Sequence, residues 1–172
     1  FDEVQPGIGR LGSFYGYQHY GVEPDIITLA KGLGGGVPIG ATLFKDAACT
    51  LRPGDHGNTF GGSPLMCAAA KVVVEAVQGL GFLDAVVAKG ERVRAGLEAL
   101  RDSGKVTDVR GVGLLNGVQF DSPETADHVV AQSRADGLIL VKVDAATVRL
   151  VPPLNVEDAE IDQAVAIIGG TL

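Results

Sequence analysis

Cysteine is scarce in this chain of 172 residues: there are two, Cys49 and Cys67, in unrelated contexts and with no CxxC spacing or nearby histidine pair. That excludes a disulfide framework or a zinc knuckle, and the expectation is two reduced, mostly buried thiols. Basic charge is short as well. The formal net charge is −7, whereas proteins that hold nucleic acid present a basic face, so no DNA or RNA partner is expected. No apolar run approaches the roughly 20 residues of a membrane-spanning helix, and no charged-then-apolar leader opens the chain. With 46% hydrophobic and 20% charged residues, the composition is that of a soluble globular protein, expected in the cytoplasm with no membrane partner. Internal repeats and low-complexity tracts are absent. An initiating methionine is also lacking. Phe1-Asp2-Glu3-Val4 reads as the tail of a strand, and the expectation is a fragment.

What the chain has in quantity is glycine, set between short apolar runs. Through about residue 45 these runs are Phe1 to Val4, Ile26 to Ala30 and Ile39 to Phe44, each followed or preceded by Gly-rich or Pro-rich breakers. This spacing predicts buried parallel strands of an α/β sheet, in which ligands sit beyond the carboxyl ends of the strands. The stretch Arg52 to Gly62 is polar and glycine-rich, and predicts a loop. Ser63-Pro64 then supplies an N-cap and a first helical residue for a helix to about Gln78, and its run Cys67 to Val74 predicts burial on more than one side. After Gly79-Leu80-Gly81, apolar residues at Leu83, Val86, Val87, Val93, Leu97 and Leu100 predict a long amphipathic helix. The remainder reads as a strand from Val109 to Phe120, a helix from Pro123 to Ala135, strands from Leu138 to Val143 and Thr147 to Val151, and a helix from about Glu157 to Ile168 capped by Asn155. The two parts divide near residue 78, an α/β part over 1–78 and an α+β part over 79–172.

Lys31 stands between the run Ile26-Ile27-Thr28-Leu29-Ala30 and the cluster Gly32-Leu33-Gly34-Gly35-Gly36. A lysine delivered by a strand end into close-approach backbone is placed to meet a ligand, and it reads as an amine that traps a carbonyl. In a strand, residues two apart share a face, so Asp2 and Val4 are expected to point the same way, with Gln5 beside them ahead of the bend at Pro6-Gly7. A carboxylate, a branched wall and an amide then converge. Against a flat heteroaromatic ring, Asp2 would hold a ring nitrogen protonated, Val4 would cover a face and Gln5 would meet a ring hydroxyl, the arrangement that makes pyridoxal phosphate an electron sink. Taken singly, each residue has a plainer reading: Asp2 a turn or cap acid, Gln5 a surface amide, Lys31 a solvated amine. The glycines would then only shape a turn or cradle phosphate, without the spacing or Lys-Ser/Thr ending of a P-loop.

Together these motifs become recognisable. Phe1-Asp2-Glu3-Val4-Gln5-Pro6-Gly7-Ile8-Gly9-Arg10, Tyr20 to Asp25, and Thr28 to Gly40 strongly resemble class III aminotransferases of the fold-type I pyridoxal-phosphate superfamily. Pro53 to Gly62 is most similar to the branch that acts on N-acetylornithine. The likeness spans the whole chain. It implies an α/β fold, with the C-terminal part of the large cofactor-binding domain over 1–78 followed by a small α+β C-terminal domain over 79–172. It implies pyridoxal 5′-phosphate as cofactor, Lys31 as the residue of the internal aldimine and of proton transfer, Asp2 at the pyridine nitrogen, Val4 on the ring and Gln5 near its hydroxyl. It further implies Thr59 reaching the cofactor phosphate of the neighbouring subunit of a homodimer, and Arg149, in Thr147 to Leu154, near a substrate carboxylate or a gating glutamate. Arg110 falls in a similar stretch, for which only a structural role is derived.

Pro6 and Leu11 stand where the family more often has threonine, and Ser63 where it often has asparagine. The family's upstream half, with its phosphate loop, stacking aromatic ring, gate glutamate and second arginine, has no counterpart in the chain, so the chain by itself is not expected to transaminate. The implied reaction is transfer of the δ-amino group of N-acetylornithine to 2-oxoglutarate in arginine biosynthesis. Ornithine, succinylornithine, 4-aminobutyrate or a carrier-linked lysine precursor are alternative substrates, and a catalytically incompetent structural fragment is the alternative from another class.

Overall fold

In the computed structural model, which describes residues 1–172, the apolar run ahead of Lys31 forms strand β1 (Ile26–Leu29), with Ile27 and Leu29 buried and Ile26 exposed as its alternation demands. Residues 1–3 lie beside it in parallel: the Glu3 amide donates to the Thr28 carbonyl at 2.9 Å, the Thr28 amide donates to the Phe1 carbonyl at 3.0 Å, and Asp2 pairs with Thr28. On the other side runs β2 (Ala41–Phe44), antiparallel, with Ile26 opposite Phe44 and Leu29 opposite Ala41. The expectation of parallel strands thus holds for Phe1–Glu3 and fails for β2. The glycine-rich connection folds straight back and is too short for the crossover that a parallel pair needs.

That connection approaches the next helix closely: a Cβ added at Gly35, which has φ +59, would lie 2.7 Å from Val73 Cγ2. The helix is α2 (Pro64–Val77). A short helical turn, α1 (Tyr17–Tyr20), precedes β1. Pro64 opens α2 as its sequence indicates, but the Ser63 hydroxyl makes no capping bond. Burial on more than one side is not found either. Only Ala70 and Val77 are fully buried, while Leu65 is 71% and Val72 66% exposed. The main packing of α2 is against the Lys31–Gly34 turn, which leaves much of its surface uncovered. Both cysteines are exposed, against expectation, Cys67 on an uncovered side of α2 and Cys49 in the loop after β2.

Contacts divide the chain into two compact units, Phe1–Leu83 and Asp84–Leu172. The second is built on α3 (Phe82–Ala99), whose Val86, Val93 and Leu97 form the buried stripe. Residues read as one strand from Val109 to Phe120 are two, β3 (Val106–Val112) and β4 (Leu115–Phe120), joined by a two-residue loop with φ +52 at Gly113 and a fully buried Leu114. A positive φ at the first loop residue suits the right-handed twist of such a hairpin. The sheet is completed by β5 (Val141–Lys142) and β6 (Thr147–Leu150) in the order β3-β4-β6-β5, antiparallel throughout. The strand expected from Leu138 to Val143 shrinks to those two residues of β5. Helix α4 (Pro123–Ala135), capped by the Ser122 hydroxyl accepting from the Thr125 amide at 3.1 Å, packs on β4, β5, β6 and α5 (Asp158–Gly170). The cap of α5 is not Asn155 but Glu157, in a reciprocal box with Glu160. No single helix is long and apolar enough to cross a membrane.

The tightest approach in the second unit joins α3 to the β3–β4 hairpin. A Cβ on Gly90 would stand 2.0 Å from the Gly113 carbonyl oxygen. Arg94, one turn on, donates to the Asn116 Oδ1 at 3.1 Å. In an open helix Gly→Ala gains about 1 kcal/mol. Here the overlap with backbone outweighs that gain, and Gly90→Ala is expected to lower stability by a net of about 1–3 kcal/mol in urea unfolding. A variant as stable as wild type would show that α3 can move off the hairpin freely.

Asp144, in the β5–β6 turn, accepts from the Ala146 amide at 2.9 Å and the Thr147 amide at 2.7 Å. Those two amides, then the Thr147 hydroxyl and more weakly the Arg110 charge, hold its carboxyl below the usual carboxylate range. A carboxyl lowered in the folded state stabilises above its unfolded value, about pH 3.9, and loses that contribution as the pH falls through the folded value. Asp144→Asn should therefore flatten the acid limb of stability against pH below about pH 4. Urea titrations that show equally steep acid limbs in variant and wild type would contradict it.

Candidate functional site

β1 ends at Leu29, Ala30 remains extended, and Lys31 opens a 3₁₀ turn, Lys31–Gly34, closed by the Leu33 amide on the Ala30 carbonyl at 3.0 Å. Lys31 has φ +44, and Ile8 at +53 is the one other non-glycine residue in the left-handed region. For a residue with a Cβ, that conformation costs about 1–2 kcal/mol. Such strain concentrates where a side chain must be aimed rather than merely accommodated. The Lys31 side chain is exposed.

Asp2 also is exposed, and its Oδ1 accepts the Val4 amide at 2.8 Å. That bond closes a turn at Val4. Val4 and Gln5 are half-buried in the turn that follows. Asp2 is level with Thr28, and Lys31 lies three residues further along, about 10 Å at the rise of a strand. By kind, the donor set suits a pyridoxal group: an amine for an aldehyde, an acid for a ring nitrogen, an amide for a ring hydroxyl.

Thr59 lies in the exposed loop between β2 and α2, beside a turn in which the Phe60 amide donates to the Asn58 Oδ1 at 3.2 Å and the Gly61 amide to the Asn58 carbonyl at 3.0 Å. Arg149 belongs to the second unit, on β6, opposite Gly117 of β4 and Val141 of β5. It borders a cavity of about 360 Å³ whose other walls include Pro152, Pro153, Glu160 and Ile161.

Two residues gain weight only from the coordinates. Glu3 is 3% exposed, and its Oε2 and Oε1 accept the Gly16 and Tyr17 amides, each at 2.7 Å. An acid in a motif reads as surface or as ligand, and nothing local marks it for burial. The one available signal is its alternation with Asp2, which sends the two side chains to opposite faces. Near it, Tyr15 stacks on Tyr17 at 5.4 Å, and burial, then Tyr17, then the Glu3 charge push the Tyr15 phenol up. Arg110 binds Asp108 Oδ2 at 2.6 Å, Gln119 Oε1 at 3.1 Å and Thr147 Oγ1 at 3.2 Å. It ties three strands together, in keeping with the structural role derived for it.

The family model of class-III aminotransferases matches residues 1–172. Acetylornithine aminotransferase of Caldanaerobacter subterraneus subsp. tengcongensis is 49% identical over 99% of this chain and 44% of its own length, and that of Synechocystis sp. is 47% identical over 98% of this chain and 40% of its own. Among solved structures, acetylornithine aminotransferase from Elizabethkingia anophelis superposes with TM-score 0.89 at 35% identity, covering 98% of this chain and 44% of that one. Ornithine aminotransferase from Plasmodium yoelii gives 0.89 at 35% identity, over 99% and 46%. The chain thus spans less than half the length of the relatives it matches, and over that span it belongs to the class-III aminotransferase family.

Proposed function

We propose that the protein is a pyridoxal-phosphate-dependent transaminase that moves the δ-amino group of N-acetylornithine to 2-oxoglutarate, a step of arginine biosynthesis. Residues 1–78 form part of its cofactor-binding domain, and residues 79–172 its small C-terminal domain. The observation that carries the reading is the strained, exposed Lys31 three residues beyond the point where Asp2 pairs with the same strand. Identity of 49% to a protein named for acetylornithine supports the substrate. Ornithine remains the second reading, because solved ornithine and acetylornithine enzymes match at the same 35%.

Pyridoxal phosphate, when bound, supplies an aldehyde to carry the amino group and a ring to spread the negative charge left on the substrate carbon. The Lys31 amine would hold the cofactor through its aldehyde carbon and, once displaced by the substrate amine, would take the proton from the amine-bearing substrate carbon and deliver it to that former aldehyde carbon. A lysine suits this role because its amine is flexible and readily deprotonated once shielded. The Asp2 carboxylate accepts from the protonated ring nitrogen, Val4 covers a ring face, and the Gln5 amide donates to the ring hydroxyl oxygen. Arg149 takes the substrate carboxylate through its planar fork of donors. The Thr59 hydroxyl and amide meet the cofactor phosphate of the partner protomer in a homodimer.

Produced from its complete reading frame, the protein should fix the cofactor on Lys31 after borohydride reduction, read by peptide mass spectrometry. Lys31→Ala should abolish both the label and turnover, and full activity without that amine would refute the assignment. Asp2→Ala should raise the barrier by about 1.5–3 kcal/mol, roughly ten- to a hundredfold in kcat. Profiling amino donors separates N-acetylornithine from ornithine.

The homodimer has its own test. In mixed dimers that carry Lys31→Ala in one subunit and Thr59→Ala in the other, action in trans leaves one site with both residues intact. Such dimers should keep a site of wild-type cofactor affinity; uniformly weakened sites would place Thr59 in cis.

A further inference from the structure

We infer that Glu3 is a positioning residue for the cofactor acid: its buried carboxylate clamps the Phe1–Glu3 strand to the start of α1, and thereby holds Asp2 in register against Thr28. The inference rests on the proposed role of Asp2 and assigns a task to a residue that the proposed chemistry leaves unused.

The geometry that leads to it is local and complete. Glu3 is fixed on both sides of its backbone, the amide on the Thr28 carbonyl at 2.9 Å and the carbonyl accepting from the Gly7 amide at 3.0 Å. Its side chain is fixed at both oxygens, by the Gly16 and Tyr17 amides at 2.7 Å each. These are the first free amides of a helical turn, which donate outward for want of an acceptor within the turn. No room is left for the clamp to slide: a Cβ on Gly16 would sit 3.0 Å from Glu3 Oε2 and 2.9 Å from Pro6 Cβ, and one on Gly7 would sit 2.6 Å from the Glu3 carbonyl oxygen. Asp2 lacks such an anchor of its own. It is exposed, and its Oδ1 bonds only within its own turn, to the Val4 amide.

Because successive strand residues face opposite ways, an anchor on Glu3 leaves the face of Asp2 clear. Charge-assisted bonds to buried amides are about twice as strong as neutral ones, so a carboxylate suits this clamp better than an amide would. Glu3→Gln keeps the shape, leaves one acceptor oxygen and sets an NH₂ group against an amide donor. Asp2 should then drift from its place relative to Lys31, and displacements of about 1 Å can cost on the order of a hundredfold in rate.

The test uses the holoenzyme from the complete reading frame and reads three quantities. In Glu3→Gln, kcat should fall on the order of ten- to a hundredfold with KM nearly unchanged. The visible absorption band of the lysine-bound cofactor should shift the midpoint of its pH titration, and the same shift is expected in Asp2→Asn, because both variants loosen the hold on the ring nitrogen. In the cofactor-free protein, the amide protons of Gly16 and Tyr17 should exchange with solvent faster than in wild type. If Glu3→Gln lacks a cooperative melt, Glu3→Asp, which keeps the charge but shortens the reach, should show the same spectral shift. A Glu3 variant that folds with the wild-type titration midpoint overturns the inference while leaving the Lys31 chemistry intact. A wild-type protein that takes no borohydride-fixed cofactor at Lys31 overturns the function reading, and this inference with it.

Discussion

The parallel pairing of residues 1–3 with β1 is the constraint on which the site depends. It consists of the Glu3 amide on the Thr28 carbonyl and the Thr28 amide on the Phe1 carbonyl. Each such bond contributes about 1 kcal/mol net, so the ladder by itself is weak. Its register nevertheless sets everything downstream. A slip of one residue would turn Glu3 outward and Asp2 inward, burying the acid proposed to meet the cofactor ring and stranding the Gly16 and Tyr17 amides.

At the other end of the same strand the constraint is conformational. The chain must leave β1 at Leu29 and return as β2 through Gly34, Gly35 and Gly36, close enough to α2 that a side chain at Gly35 would strike Val73. Glycine takes the left-handed positions at Gly35 and Gly36 without strain, with φ +59 and +114. Lys31 takes one as well, at a cost a glycine would avoid. A lysine there accords with the proposed need for an amine at the strand end, and the 3₁₀ turn beginning at Lys31 fixes where its Cβ points.

Much of this was legible in the residues. Ser63-Pro64 marks the start of α2, the stripe Val86, Val93 and Leu97 predicts α3, Pro123 to Ala135 is α4, and Lys31 falls at a strand end as its flanks suggest. Failures have a common cause in partners far off in sequence. Whether β2 would run parallel depends on the path of the connection, not on its own apolar pattern. The continuous β-like run from Val109 to Phe120 conceals a hairpin, because its turn uses Gly113 and a buried Leu114 instead of a polar pair. The apolar circumference of α2 predicts burial on several sides, yet it packs mainly on the Lys31–Gly34 turn, and Cys67 is exposed with Leu65 and Val72. The motif itself carries the family, as the match over residues 1–172 bears out. The burial of Glu3 was invisible, since nothing near it in sequence announces that the amides of Gly16 and Tyr17 will come to it.

Asp2 and Glu3 show how one strand end can serve two needs. Adjacent acids repel when they share a face, but strand alternation parts them, one toward solvent and one into the unit. The inward acid has the longer side chain, and a glutamate spans from the strand to two amides at the head of α1; an aspartate would fall one methylene short of them. The outward acid has the shorter, stiffer side chain, suited to a group whose position must be inherited from the backbone rather than searched for by rotamers. Exchange of the two would keep the charge and the composition unchanged. It would nonetheless leave the clamp unable to reach α1 and give the exposed acid an extra bond about which to wander, so the order Asp-Glu, and not merely the presence of two carboxylates, is what the geometry at β1 requires.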